Sequence, residues 1–315
     1  MEDPAGNVSS HTHFVLNGFA ELGALRPVLF LPFSALLLLA LAANSLLLFV
    51  VVSQRSLHSP MHVLMAGMAC VDLCVPLFFV PHMLLSFLLD WRGISLIGCL
   101  LQMHLIHFVG SFQCTLLVWM ALDRYFAICT PLYYHQRMAL PRFLKFMVPL
   151  VARNFLLITA FVVLAGRLSF CSRVMTHCFC EHMALVELAC GNTALNSLAG
   201  LLALILIPVV DFVFIVASYV VIFISVLSSG TSSSKALRTC VTHIVVMVVS
   251  LAVTLIALLS YRVRSSLPAA SLVFFSTMYL LVPSCFNPII YGIRTAEIRQ
   301  HIVRTLSRGR PVDPM

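Results

Sequence analysis

Charge is what this chain has least of. Only 10% of its 315 residues are charged, against 61% that are hydrophobic. A soluble domain carries about a quarter charged residues. A chain of this length cannot fold so much apolar surface away from water, so lipid must serve as its solvent. Other absences narrow the chemistry. No Walker loop, dinucleotide fingerprint, HExxH helix or GxSxG elbow is present, so the chain is not expected to be an enzyme. No repeat divides it into similar halves, which counts against common transporter architectures. The net charge is +8, but the basic residues form no aromatic-interleaved stripe. Nucleic acid is therefore not an expected partner, and a membrane-surface bias fits better. The opening MEDPAGNVSS is polar and slightly acidic, so no cleavable signal peptide is expected. There is no long linker, and residues 1–315 read as a single domain.

What the chain does have is long apolar runs. The first, Val28 to Val52, contains no charge and is long enough to cross a bilayer. Lipid offers no hydrogen bonds, so a spanning run must be helical or belong to a closed barrel. Barrel strands would alternate polar and apolar residues over about ten positions; these runs are continuous. The expected fold is an all-α membrane protein with seven spans, near 28–52, 61–89, 96–122, 143–166, 195–227, 237–260 and 270–292. Residues 1–27 form the N-terminus, 28–292 the seven-helix bundle and 293–315 the tail. In the tail, Ile298, Ile302 and Leu306 fall at helical spacing among arginines, as in a short amphipathic helix on the membrane surface. With the N-terminus outside, inner segments hold twelve Lys and Arg and outer segments six, and Arg153 is left inside a span. That bias places the N-terminus outside and the C-terminus inside. The sequon Asn7-Val8-Ser9, a glycosylation candidate, needs the same orientation.

Cysteine usage agrees with a divided environment. Cys99, Cys171, Cys178, Cys180 and Cys190 fall on the outer side, in an oxidising compartment, and predict disulfides with one thiol left over. Spacing leaves the pairing open. His177, Cys178, Cys180 and His182 lie within six residues and could bind a soft metal. A cysteine locked in a disulfide is no thiolate ligand, so no metal is expected.

Several stretches resemble the odorant receptors, a branch of the rhodopsin-like G-protein-coupled receptors. Span three ends Met120-Ala-Leu-Asp-Arg-Tyr-Phe-Ala-Ile-Cys-Thr-Pro-Leu-Tyr-Tyr134. Pro60-Met61, Asp72-Leu73-Cys74, Ser218-Tyr219, Lys235 to Cys240, His243 and Asn287-Pro-Ile-Ile-Tyr291 follow in family order, so the resemblance covers about Phe14 to Arg299. The 180–184 stretch and the Gly98 to His107 stretch look like the class I, fish-like subgroup. The resemblance implies disulfides Cys99–Cys180 and Cys171–Cys190, with Cys178 spare. It implies an odorant ligand, a heterotrimeric G protein of the stimulatory olfactory type, cyclic AMP as output and the plasma membrane as location.

The resemblance also assigns roles. Asp123 and Arg124 form an inactive-state restraint beside Tyr125, and Tyr219, Asn287, Pro288 and Tyr291 belong to the switch network. The bland alternative is a charge pair snorkelling at the interface. Asp72 lies roughly 17 Å into span two at 1.5 Å per residue, where an ionised carboxylate needs a partner. Asn44 and Asn287 are its expected partners, and the three could hold a sodium ion. Gln113 stands where relatives usually carry Glu, which weakens such a site. Asp211 matches an acidic position of the subgroup; alternatively it is a protonated carboxyl bonded within the bundle. Arg153 has no evident partner. The ligand pocket is expected among spans three, five, six and seven. His107 and Ser111 share a face of span three, and Thr254, Leu255, Leu258 and Arg262 are placed in span six. An acid head would sit near Arg262 and His107, with a tail on Leu258 and Leu255. Arg262 could instead be a helix anchor facing water. Span six has Ser250-Leu251 and Val253 where relatives show Phe-Tyr and a nearby proline, which puts the ease of its outward swing in question. A transporter or channel, and an orphan seven-helix receptor outside olfaction, are the alternatives; span interiors offer few polar groups for a pore.

Overall fold

The computed structural model describes residues 11–228, 234–262 and 266–308. Asn7 lies outside the described residues, as do the side chains of Lys235, Arg238, Cys240, His243, Leu258 and Arg262. Seven long helices form the bundle: α1 (Phe30–Ser53), α2 (Pro60–Leu88), α3 (Leu96–Cys129), α4 (Leu140–Gly166), α5 (Ala194–Ser228), α6 (Ser234–Arg262) and α7 (Ala269–Arg294). An eighth helix, α8 (Ala296–Arg308), follows a break at Thr295. Six of the seven are long and apolar enough to cross a membrane, and α6 contributes the apolar stretch Ile244–Ala257. The seven expected spans are thus found, each within a few residues except α3, which runs on through the Asp123-Arg124 motif to Cys129.

Local chemistry sets the ends and the irregularities. Proline at the start of α2 lacks only an N–H that the first turn leaves unbonded anyway. Ser95 caps α3, its hydroxyl accepting from the Gly98 N–H at 3.1 Å. In α5 a π turn at Ile205–Val209 surrounds Pro208, where the ring removes a backbone donor and the widened turn absorbs it. Apolar side chains also point outward, among them Leu38, Phe49, Leu156, Val213 and Ile224. Lipid tails are as apolar as they are, so helix association rests on close packing and buried polar contacts. Trp119, Tyr291, Phe79 and Met68 fill the packed interior.

One end of the bundle carries a cap that periodicity did not announce. A three-stranded sheet places β1 (His13–Leu16) between β2 (Gly93–Ser95), antiparallel to it, and β3 (Val174–Met175), parallel to it. Phe14 meets the edge of the Phe170 ring at 5.0 Å. Gly18 lies flush on the loop: a Cβ there would stand 2.4 Å from Cys178 Sγ. Arg26 is buried and donates to the Gly18 carbonyl and to the Ser86 carbonyl and hydroxyl at 2.7–3.0 Å, so it is a strut and not a loop charge. Disulfides join Cys99 to Cys180 and Cys171 to Cys190, as the resemblance implied, and Cys178 is a buried free thiol.

Candidate functional site

The motif end of the bundle, opposite the cap, is built around Asp123. Its carboxylate is fully buried and accepts from Arg124 Nη2 at 2.7 Å and from the Tyr134 hydroxyl at 2.7 Å. Tyr134 comes from the short helix Tyr134–Arg137 that follows α3. Burial, then the bond to Asp123, raises its phenol above the ordinary value. The sequence reading had placed Asp123 and Arg124 together but missed Tyr134, although the residue closes the same motif. Tyr291 is buried, with its hydroxyl 3.9 Å from Met120 Sδ, and Tyr219 is buried on α5. Tyr125 is half-buried and packs edge-on to Phe126. Pro288 lies inside α7 next to Asn287. His62 accepts or donates to Ser59 at 2.8 Å and stands 3.5 Å from Glu297, which ties the start of α2 to α8.

Midway along the bundle, Asp72 is completely buried. Asn287 donates to one of its oxygens at 2.9 Å, and Gln113 donates to the other. Asn44 is not a direct partner. Its amide donates to the carbonyls of Ala40 and Ser284, both at 2.8 Å, because it sits beside the polar backbone of α7 and not over the carboxylate. A sodium ion needs oxygen acceptors around it. Here both carboxylate oxygens accept from amide N–H donors, so Asp72 is partnered by the protein's own side chains.

Arg153 does have a partner. Its guanidinium forks onto both oxygens of Asp211 at 2.8 and 2.9 Å, and also donates to Asn154 Oδ1. Asn154 in turn donates to Thr115 Oγ1 at 3.1 Å. Both oxygens of Asp211 are thus engaged by one guanidinium, in the fork geometry that suits a carboxyl group. The pairing joins α4 to α5 across 58 residues, so spacing could not reveal it.

Between these groups and the cap lies a cavity of about 460 Å³. His107 and Ser111 of α3 and Thr254 of α6 line it. Ile207, Asp211, Leu251 and Leu280 add wall from α5, α6 and α7, and Glu181 and His182 add it from the α4–α5 loop. Leu255 does not line it. Thr254 and Ala257 face the cavity, while Leu255 is rotated about 100° from Thr254 and 37% exposed, toward lipid. The side chains of Leu258 and Arg262 lie outside the described residues. His182 is the lining residue that sequence reasoning weighed only as a metal ligand. Cys180, its neighbour in that cluster, is held in a disulfide. Among the described residues, no group of three or more His, Cys, Asp or Glu could hold a metal ion.

Comparison with known proteins gives a consistent result over the whole chain. The family described as olfactory receptor matches residues 33–309. Human olfactory receptor 52K1 is 34% identical over 309 residues, covering 97% of this chain and 98% of its own. Human olfactory receptor 51E1 is 35% identical over 310 residues, covering 96% of each chain. Human olfactory receptor 52P1 is 35% identical over 313 residues, covering 98% of each.

Proposed function

The chain belongs to the olfactory receptor family, and from that membership we propose that it binds a small volatile odorant and passes the signal to a stimulatory heterotrimeric G protein that raises cyclic AMP. It is a multi-pass plasma membrane protein and not an enzyme. The observation that carries the proposal is the placement of the cavity. An apolar-walled space with a few polar groups, near the cap, is the usual form of a small-molecule site. At the other end, Asp123, Arg124 and Tyr134 form a closed network that a G protein would have to find open. The ligand set is His107, Ser111 and Thr254; the switch set is Asp123, Arg124, Tyr125, Tyr219, Asn287, Pro288 and Tyr291. The cap faces outside, and the tail lies in the cytoplasm.

The test is a cyclic AMP screen with odorants, short and medium carboxylic acids included, in cells that traffic such receptors. Surface labelling comes first, since silence from a retained chain says nothing. A dose-dependent rise that disappears in Arg124→Ala supports the proposal. Ion flux through reconstituted vesicles without such a rise would instead favour a channel. A carboxylate-bearing ligand is the second reading, favoured by His107 lining the cavity as the acid-head reading required. It needs Arg262 as counter-ion, and an unchanged acid response in Arg262→Ala ends it.

A further inference from the structure

The cavity is long as well as large. Ile106 and Leu117 of α3 both line it, and they stand about 17 Å apart along the helix at 1.5 Å per residue. One end lies under the cap, at Ile106, His182 and Ser197, and the floor lies at Leu117, Ile215 and Pro283. An apolar cavity of about 150 Å³ holds one benzene, and this one measures about 460 Å³. A ligand the size of a single ring leaves most of the wall without contact partners, and so forfeits the dispersion that a close fit supplies.

A missing side chain keeps the two ends joined. Gly110 lines the cavity on α3, between Ile106 and Leu117. Glycine weakens a helix interior relative to alanine, so a helical glycine usually marks a close approach. Gly166 of α4 is of that kind: a Cβ there would stand 2.8 Å from Leu100 Cδ1. At Gly110 a Cβ would meet no atom within 4 Å. No neighbour demands this glycine, and the open space beside it belongs to the cavity. Ser250 of α6 lines the same space and adds only a hydroxymethyl group.

The deep end borders a polar network. Gln113 lines the cavity and its amide donates to one oxygen of Asp72, whose other oxygen accepts from Asn287 at 2.9 Å. A ligand that passes Gly110 lies against the bonds that tie α2, α3 and α7 together. A ligand held under the cap does not touch them. A stretched backbone advances about 3.5 Å per residue over three bonds, or about 1.2 Å per bond, so about fourteen bonds in line cross this length.

We propose that the cavity is a single slot, open past Gly110, which selects an extended aliphatic ligand of about 12–14 atoms in line. Its apolar end lies against Leu117 and Ile215, beside Gln113. Gly110 is the residue that sets the length. This rests on the receptor reading above and names the ligand length that its site selects, whatever the head group.

The test reads cyclic AMP from the full chain at matched surface density, against primary alcohols and primary amines with hexyl, nonyl, dodecyl and pentadecyl chains. For whichever head group the parent answers, the half-maximal concentration should fall about fourfold per added carbon up to dodecyl, the equivalent of about 0.8 kcal/mol per buried CH₂. Pentadecyl should gain nothing more. Gly110→Leu fills the middle of the slot. It should raise the half-maximal concentration of the dodecyl ligand about tenfold or more and leave the hexyl ligand unmoved. Partition into the membrane rewards length in parent and variant alike, so the comparison removes it. Ser250→Leu narrows the slot from α6 and should act in the same direction, and it serves if Gly110→Leu fails to reach the surface. A parent that prefers hexyl to dodecyl overturns the slot. So does a Gly110→Leu chain that shifts both lengths equally, or neither. Those outcomes leave the receptor reading standing, whereas a surface-expressed parent silent to every compound overturns both.

Discussion

Arg153 sits within α4 with its guanidinium forked onto Asp211 of α5, and the pair is mostly shielded from solvent. Removing one member strands the other. Breaking a buried pair costs about 3–5 kcal/mol, while replacing both members by apolar groups is often neutral. Arg153→Ala is therefore expected to lower the melting temperature of the detergent-solubilised protein clearly, and Arg153→Met with Asp211→Leu to recover most of it. Equal melting of the single and double variants would refute a net role for the pair. A second expectation concerns acid. Burial lowers the pKa of His177 to about 3 and of His182 to about 4, against an ordinary 6.5. The folded state holds these rings neutral, and the unfolded chain protonates them first. Stability is thus intact above about pH 6.5 and falls as pH drops toward 4, at up to about 1.4 kcal/mol per unit for each ring. Thermal melting followed from pH 7 to 4 checks this, and His182→Phe should flatten part of the slope.

At the scale of elements, what could be read from the sequence depended on length. A spanning helix announces itself through a long, largely apolar run and α8 through apolar residues at helical spacing, so seven spans and α8 were legible. Strands of two to four residues carry no period to detect, and β1, β2 and β3 passed unseen. Pairings were legible only where a motif supplied them: both disulfides followed from the resemblance, while Arg153–Asp211 and Tyr134–Asp123 did not emerge at all. Leu255 went wrong by one helical position, which turns a side chain from cavity to lipid. The helix α6 runs unbroken from Ser234 to Arg262 without proline, whereas α5 and α7 each contain one or more. A regular helix resists bending. Val253→Pro is expected to raise agonist-evoked cyclic AMP severalfold, with basal signal rising too, and a variant that signals no better than the parent would show that α6 swings freely as it stands.

For the whole molecule, the arrangement of charge predicts an N-terminus outside and a tail inside. A tag placed ahead of residue 1 should stain intact cells, and Asn7→Gln should abolish a mobility shift removed by glycosidase; staining only after permeabilisation would reverse the orientation. The cap adds a constraint of timing. The strand β1 is made first, yet it runs beside β3, which lies about 160 positions later, with four spans between them. During synthesis the leading segment can pair with β2 once the second span is made, but its place beside β3 is filled only after the fourth span has emerged. The first segment made and the α4–α5 loop thus end as a single surface, and a change to either is felt by the other.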